Sequence, residues 1–95
     1  MKGNITNVTD SYRYAIRTNY LGPTNTMGAR ISATMDSPRE RVVVGYDHAI
    51  SISENHARAA VALVAKLWER MPRTYEVVNL IQGAYDGGYV FVFED

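Results

Sequence analysis

One helical stretch, between residues 57 and 71, is the feature that most constrains the fold of this chain. Apolar residues recur there at three- and four-residue spacing, which predicts a helix with one apolar stripe. The stripe comprises Ala57, Ala60, Val61, Val64, Leu67, Trp68 and Met71. Ser51 and Glu54 mark the helix start with capping-box spacing, or Ser53 is the N-cap, and Pro72 ends the helix. Such a stripe needs a sheet to pack against.

Segments with a period of two flank the helix on both sides and predict that sheet. The predicted strands cover residues 12–20, 30–35, 41–46, 75–81 and 89–93. Between the last two strands, residues 83–88 predict a glycine-rich turn. Because hairpins favour antiparallel pairing, the fold class is a two-layer α+β fold. We expect an antiparallel sheet of about five strands, in the chain order β-β-β-α-β-β, with one helix packed across one face.

The composition limits the chain to one small domain. Its 95 residues are 46% hydrophobic, which is typical of a globular chain, so we predict a single domain over residues 1–95 with a flexible head over residues 1–10. The absence of cysteine excludes disulfides, thiolate nucleophiles and sulfur-ligated metals, and favours a cytoplasmic location. No apolar run is long enough to cross a bilayer, so we expect no membrane role.

The formal net charge is zero, but the charges are unevenly placed. Basic residues cluster in the first half, at Arg13, Arg17, Arg30, Arg39 and Arg41, so an anionic ligand is expected on that side. A protein that binds duplex nucleic acid normally has a larger basic excess. We therefore expect no duplex nucleic acid as a partner.

The loop from residue 20 to residue 30 has more polar chemistry than a turn requires. Its backbone N–H groups near two glycines could surround a phosphate or ribose together with polar side chains. The candidate ligand contacts in this loop are Thr24, Asn25, Thr26, Gly28 and Arg30, and Arg17 lies on the basic side of the preceding strand. The alternative is a long hairpin loop that caps its own backbone, and composition alone does not decide between the two.

Two other groups of polar residues suggest chemistry less strongly. Asp47, His48, Ser51, Ser53 and His56 include the residue types of a hydrolytic triad. A triad also needs a nucleophile on a strained turn and an oxyanion site, and no motif supplies that context, so we predict a protein that is not an enzyme.

Two histidines without cysteine make a poor metal site, so neither metal nor cofactor is expected. Asn55 and His56, near the positive start of the helix, are further candidates for anion contact, with ordinary capping as the alternative.

Five short runs, over residues 20–26, 28–31, 45–48, 53–56 and 88–91, span most of the domain. Together they resemble a family of small phage proteins, the first Thoeris anti-defence family. The resemblance implies a phage protein in the host-cell cytoplasm that sequesters a nucleotide immune signal without cleaving it, in pockets between subunits. It makes Asn25, Arg30, Asn55 and His56 pocket candidates. Met27 and Gly45 depart from the family pattern, which leaves the ligand open.

The combined expectation is a non-enzymatic anti-defence protein for immune evasion. It would bind a small phosphorylated nucleotide, such as a cyclic ADP-ribose isomer or a cyclic oligonucleotide. The uncovered face of the sheet, expected to carry Tyr, Phe and Arg side chains, predicts a homo-oligomer. One alternative is an inhibitor of a host defence complex, of the anti-CRISPR or anti-restriction type. Another is an RNA-binding sheet module, which would need exposed basic and aromatic residues on strand faces.

Overall fold

A computed structural model describes residues 15–36, 39–70 and 79–94 of the chain. The elements are β1 (Ala15–Leu21), β2 (Arg30–Asp36), β3 (Arg39–Gly45), α1 (Ile52–Arg70), β4 (Asn79–Tyr85) and β5 (Gly88–Glu94). The predicted α+β class and the chain order β-β-β-α-β-β are confirmed. The ends predicted at residues 12–14 and 75–78, the turn residues 37–38, Met71 and Pro72 lie outside the described residues.

The five strands form one antiparallel sheet in the spatial order β3-β2-β1-β5-β4. This order differs from the chain order because the chain forms the edge strand β4 after the helix and then returns as β5 to pair with β1. Ile16 of β1 stands opposite Met35 of β2 and Phe91 of β5, so β1 is the central strand. The two edges of the sheet are β3 and β4.

The helix packs on one face of the sheet and makes the core with it. Helix residues Ala59, Ala60, Leu63, Val64 and Leu67 are buried against strand residues Ile16, Ile31, Ala33, Met35 and Phe91. The predicted stripe is rotated relative to this set: Val61 is 60% exposed, while Leu63, left out of the prediction, is fully buried. The reason is that the helix face packed on the sheet also includes the polar residues Asn55 and His56, both of which are buried.

The helix begins as the capping box predicts. The backbone N–H of Glu54 donates to Ser51 Oγ at 3.1 Å, and the backbone N–H of Ser51 donates to Glu54 Oε1 at 3.4 Å. Two donors at the helix start are therefore satisfied by side chains, and Ser51 rather than Ser53 is the N-cap.

The last hairpin differs from its prediction. Gly83 belongs to β4, which extends to Tyr85, and the turn is confined to Asp86 and Gly87. Gly87 has a φ of 101°, in the region that glycine adopts without strain. A glycine count alone overestimated the turn, because Gly83 sits opposite Val90 as an ordinary paired strand residue.

The face of the sheet away from the helix, which we call the open face, has no other described element packed on it. Side chains alternate between the two faces, so Ile16 and Thr18 of β1 point to the helix while Arg17 and Asn19 point to the open face. The expected phenylalanines are not on this face, because Phe91 and Phe93 belong to the core side. The open face is basic near β1, β2 and β3 and aliphatic near β5, where Val90 and Val92 lie.

Candidate functional site

The loop between β1 and β2 uses much of its hydrogen-bonding capacity on itself. The Thr24 hydroxyl accepts hydrogen bonds from the N–H groups of Thr26, at 3.3 Å, and Met27, at 3.0 Å. The Thr24 N–H in turn donates to the Met27 carbonyl at 2.7 Å. These are the self-capping contacts of a polar loop, and they occupy donors that the phosphate hypothesis had assigned to a ligand. The side chains of Asn25 and Thr26 are exposed and make no hydrogen bond with the described residues, so both keep them for other contacts.

The two polar side chains near the helix start are structural. Asn55 is fully buried; its Nδ2 donates to the carbonyls of Asp47 and Ser51, at 2.8 and 3.0 Å, and its Oδ1 accepts from the Asp47 N–H at 2.7 Å. Every polar group of this amide is engaged in holding the connection between β3 and the helix. Asn55 was predicted to contact an anion, but none of its polar groups is exposed.

His56 belongs to the helix, and its side chain is buried against the core side of the sheet. Its Nδ1 is 2.7 Å from Thr18 Oγ1, and its ring centre is 4.6 Å from that of Tyr89. Burial lowers the pKa of His56, because the charged imidazolium loses hydration there. The side chain is 3% exposed, and the whole sheet separates it from Arg17. The structure does not bring His56 together with the predicted arginines.

The residues of the suspected triad make separate local contacts. Asp47 Oδ1 accepts from the Ala49 N–H at 2.9 Å, and Ser51 Oγ caps the helix. His56 is hydrogen-bonded to Thr18 instead of to a serine or an aspartate. Among the residues that the structure describes, no group of three or more His, Cys, Asp or Glu side chains is placed to hold a metal ion.

A different group of residues converges on the open face. Arg17 of β1 and Arg41 of β3 stand on either side of Thr34 in β2, in directly opposed positions. Two strand spacings separate the two arginine backbones, about 10 Å. Arg17 donates to Asp36 at 3.0 Å in an exposed ion pair, whereas the Arg41 guanidinium makes no contact of this kind with the described residues. Two long basic side chains can therefore reach one anion above Thr34.

An aromatic ring lies on the same face, on the side of Arg17 that is away from Arg41. Tyr85 of β4 lies across Gly88, and its hydroxyl donates to Asn19 Oδ1 at 2.6 Å on the central strand. A Cβ at Gly88 would overlap the Thr18 carbonyl oxygen and stand 3.1 Å from the Tyr85 hydroxyl, so glycine is required for this crossing. Tyr85 is 40% exposed, which leaves ring surface for a second planar group on the open face.

Arg30 is a further basic group on the same face, at the end nearest the loop. It stands opposite Leu21 in β1 and Gly45 in β3, and its Nε donates to the Gly28 carbonyl at 3.3 Å. Four residues of strand separate the Leu21 row from the Arg17 row, about 13 Å. Arg17 and Arg30, both predicted, thus share a face but lie in different rows of it.

Sequence reasoning missed Arg41, Thr34 and Tyr85 as site residues. The signal for the first two was present, since the period of two that places Val42 and Val44 on one side places Arg41 on the other. The missing information was which strands are neighbours. Tyr85 was missed because residues 83–88 were predicted to form a turn, whereas Tyr85 belongs to the edge strand β4.

No family model, curated protein or solved structure matches this chain. The resemblance to Thoeris anti-defence proteins therefore stays a prediction. Within the described residues, no helix combines the length and the apolar character needed to cross a membrane.

Proposed function

We propose that this protein binds a small phosphorylated nucleotide on its open face and holds it without transforming it. The observation that carries the proposal is the placement of Arg17, Arg41 and Tyr85 together on the face that the helix leaves uncovered. The proposal keeps the ligand class expected from the sequence, a cyclic nucleotide, and moves its centre from the loop to the sheet.

The arginine pair suits a phosphate. A guanidinium presents paired N–H donors that match phosphate oxygens, and it stays charged at every physiological pH. The Arg17–Asp36 pair is about half exposed on the arginine side, and an exposed pair contributes about 0 to 1 kcal/mol. Arg17 can thus exchange its carboxylate partner for a phosphate at little cost, while Arg41 approaches from the other side of Thr34.

Tyr85 suits the base of the same ligand. A base stacked on an aromatic ring contributes about 1 to 3 kcal/mol, and the ring accepts any base because the contact is made through its π-face. The hydrogen bond to Asn19 holds the Tyr85 side chain across Gly88. Phosphate contacts from the arginines and stacking from Tyr85 would together fix both ends of a nucleotide.

Isothermal titration with cyclic ADP-ribose isomers and cyclic dinucleotides tests this function. The wild type should bind at least one of them, and Arg41→Ala should weaken that binding at least tenfold. Arg58→Ala is the matched control, because Arg58 is an exposed arginine on the helix, across the sheet from the open face. Equal losses in the two variants, or undiminished affinity in Arg41→Ala, would refute the site. If no nucleotide binds, a protein target in a host defence complex becomes the better explanation.

Single-stranded RNA is a second candidate ligand, favoured by the same arginines. Arg17, Arg30, Arg39 and Arg41 lie on one strand face of a chain that is neutral overall. RNA contacts with several phosphates would weaken steeply as salt rises, since each neutralised phosphate releases counterions. Tight binding of oligonucleotides with a steep salt dependence, combined with no binding of cyclic nucleotides, would select RNA.

A further inference from the structure

The edge strand β4 lies outside the cover of the helix. The helix packs on β1, β2, β3 and β5, and no described helix Cα lies within 8 Å of a Cα of β4, whose Leu80 alone packs against the core cluster. Along β4 only Leu80 is partly buried; Ile81 is 49% exposed and Tyr85 is 40% exposed. Among the strands that the structure describes, nothing pairs with the outer edge of β4, so this edge presents N–H and C=O groups as well as apolar side chains.

The opposite edge, β3, is protected in ways that β4 is not. Lys66 of the helix donates to the Arg41 carbonyl at 2.8 Å and pairs with Glu40 at 3.3 Å, so it covers part of that edge. Arg39 and Arg41 add charge to the same strand. By contrast, β4 reads Asn-Leu-Ile-Gln-Gly-Ala-Tyr and contains no charged residue. Charges on an edge strand discourage pairing with another strand, so only β3 has this protection.

We infer that β4 pairs with β4 of a second copy of this chain, antiparallel and centred on Gln82. A two-fold axis at Gln82 places the two copies of that residue opposite each other and covers the strand from Asn79 to Tyr85 over its whole length. Closed two-fold dimers are the commonest assembly of soluble proteins, and their interface must complement itself. An uncharged strand meets this condition, because no side chain faces a like charge in its mate.

The side chains of β4 also complement themselves about that centre. Leu80 of one copy stands opposite Ala84 of the other, and Ile81 stands opposite Gly83. At the ends, Asn79 stands opposite Tyr85. Each large side chain thus meets a small one or a polar one, so close approach produces no clash between bulky groups, and the central glutamines can exchange amide hydrogen bonds.

The pairing has a definite geometry. Opposed residues in an antiparallel pair share a face, so both helices lie on one side of the joined sheet and both open faces lie on the other. The five strands of each copy become one continuous sheet. The inference concerns the edge of β4 and stands independently of any ligand on the open face.

Cross-linking tests the pairing directly, because the natural chain contains no cysteine. Side chains directly opposed in an antiparallel pair have Cβ atoms about 4.5 to 5.5 Å apart, close enough for a disulfide with small adjustments. Gln82→Cys should therefore form a covalent dimer under mild oxidation. Val43→Cys, which is 37% exposed on the opposite edge strand, is the matched control and should stay largely uncross-linked. No dimer from Gln82→Cys, or equal cross-linking of both variants, overturns the inference.

Charge substitution tests the two-fold centre. Gln82→Lys and Gln82→Glu should each be monomeric by native mass spectrometry where the wild type is dimeric, because two like charges then meet at the axis. An equimolar mixture of the two variants should recover a dimer that contains one copy of each. Thermal unfolding of each variant separates lost pairing from lost folding. A wild type that is monomeric at all concentrations, a dimer that survives both substitutions, or folded variants that fail to pair when mixed would each overturn the inference.

Discussion

The helix-covered strands and the edge strand β4 differ in what holds them. In the covered part, Ile16, Ile31 and Met35 are at most 1% exposed and pack against the helix. By contrast, β4 has six of its seven residues exposed and is held chiefly by pairing with β5. Apolar burial therefore accounts for the first region, and strand pairing with few apolar contacts accounts for the second.

This difference separates the residues that stabilise the fold from those proposed to bind a ligand. The helix packs on the core side of the sheet, where His56 and Thr18 form a buried hydrogen bond. No other described element packs on the open face or on the β4 edge. The open face carries the arginines and Tyr85, and β4 contains no charged residue. Substitutions on the two sides should consequently affect different properties, and the predictions that follow use this contrast.

The largest effect is expected from Leu63→Ala. Leu63 is a helix residue that is fully buried between the helix and the sheet. Its truncation removes apolar contacts and leaves a cavity, which should lower the free energy of unfolding by about 2 to 5 kcal/mol. Val61→Ala is the control: Val61 is 60% exposed on the same helix and should change stability by less than about 0.5 kcal/mol. Urea unfolding measures both, and equal effects would show that the helix is rotated from the position described.

Gly88→Ala should have the next largest effect and should act in the hairpin. The added methyl group would meet the Thr18 carbonyl, which is backbone and cannot move aside cheaply, at a cost of about 1 to 3 kcal/mol. Gly45→Ala serves for comparison, because nothing lies within 4 Å of a Cβ at that position. Thermal unfolding should show a lower midpoint for Gly88→Ala only. A similar midpoint in both variants would mean that β1 and β5 are not this close.

Tyr85→Phe should cost less, about 0.5 to 1.5 kcal/mol, because it removes the hydroxyl that donates to Asn19. The same change at Tyr20, which is 50% exposed, should leave stability unaltered. Denaturant unfolding compares the two. Identical stability of Tyr85→Phe and the wild type would indicate that the ring does not lie across Gly88.

The smallest effect is a pH dependence from His56. Because burial lowers the pKa of His56, the unfolded chain takes up the proton first as the pH falls. The stabilisation is therefore complete above the ordinary histidine pKa of about 6.5 and is lost as the pH falls from there through the folded-state pKa.

His56→Asn removes this titration and keeps a nitrogen near Thr18. Thermal unfolding from about pH 7.5 to about pH 5 should fall less steeply in this variant than in the wild type. A slope in His56→Asn as steep as that of the wild type would contradict the described burial of His56.

The sequence predicted the elements better than it predicted the site. Alternation and helical periodicity are local patterns, and they were enough to assign the fold class and to locate the capping box at Ser51 and Glu54. The exposure of Val61 was not predictable from spacing, since it depends on how the sheet receives the helix. The position of Gly83 in a strand likewise depends on its pairing with Val90.

The site depended on information that no local pattern contains. The loop has the composition of a ligand loop, but a short polar side chain can also satisfy the loop itself, and Thr24 does so here by accepting from the backbone N–H groups of Thr26 and Met27. His56 stands near a helix start, yet it is buried by a sheet whose order the sequence does not reveal. Only that order shows that Arg41 is the neighbour of Arg17 across Thr34.

Mapping the ligand by nuclear magnetic resonance tests the central claim most directly. The amide signals of the wild type would be followed while cyclic ADP-ribose isomers and cyclic dinucleotides are added. The account predicts that the largest shifts occur at Arg17, Thr34 and Arg41, with smaller ones near Tyr85. Shifts confined to the helix side, around Asn55 and His56, or no shifts with any of these nucleotides would contradict it.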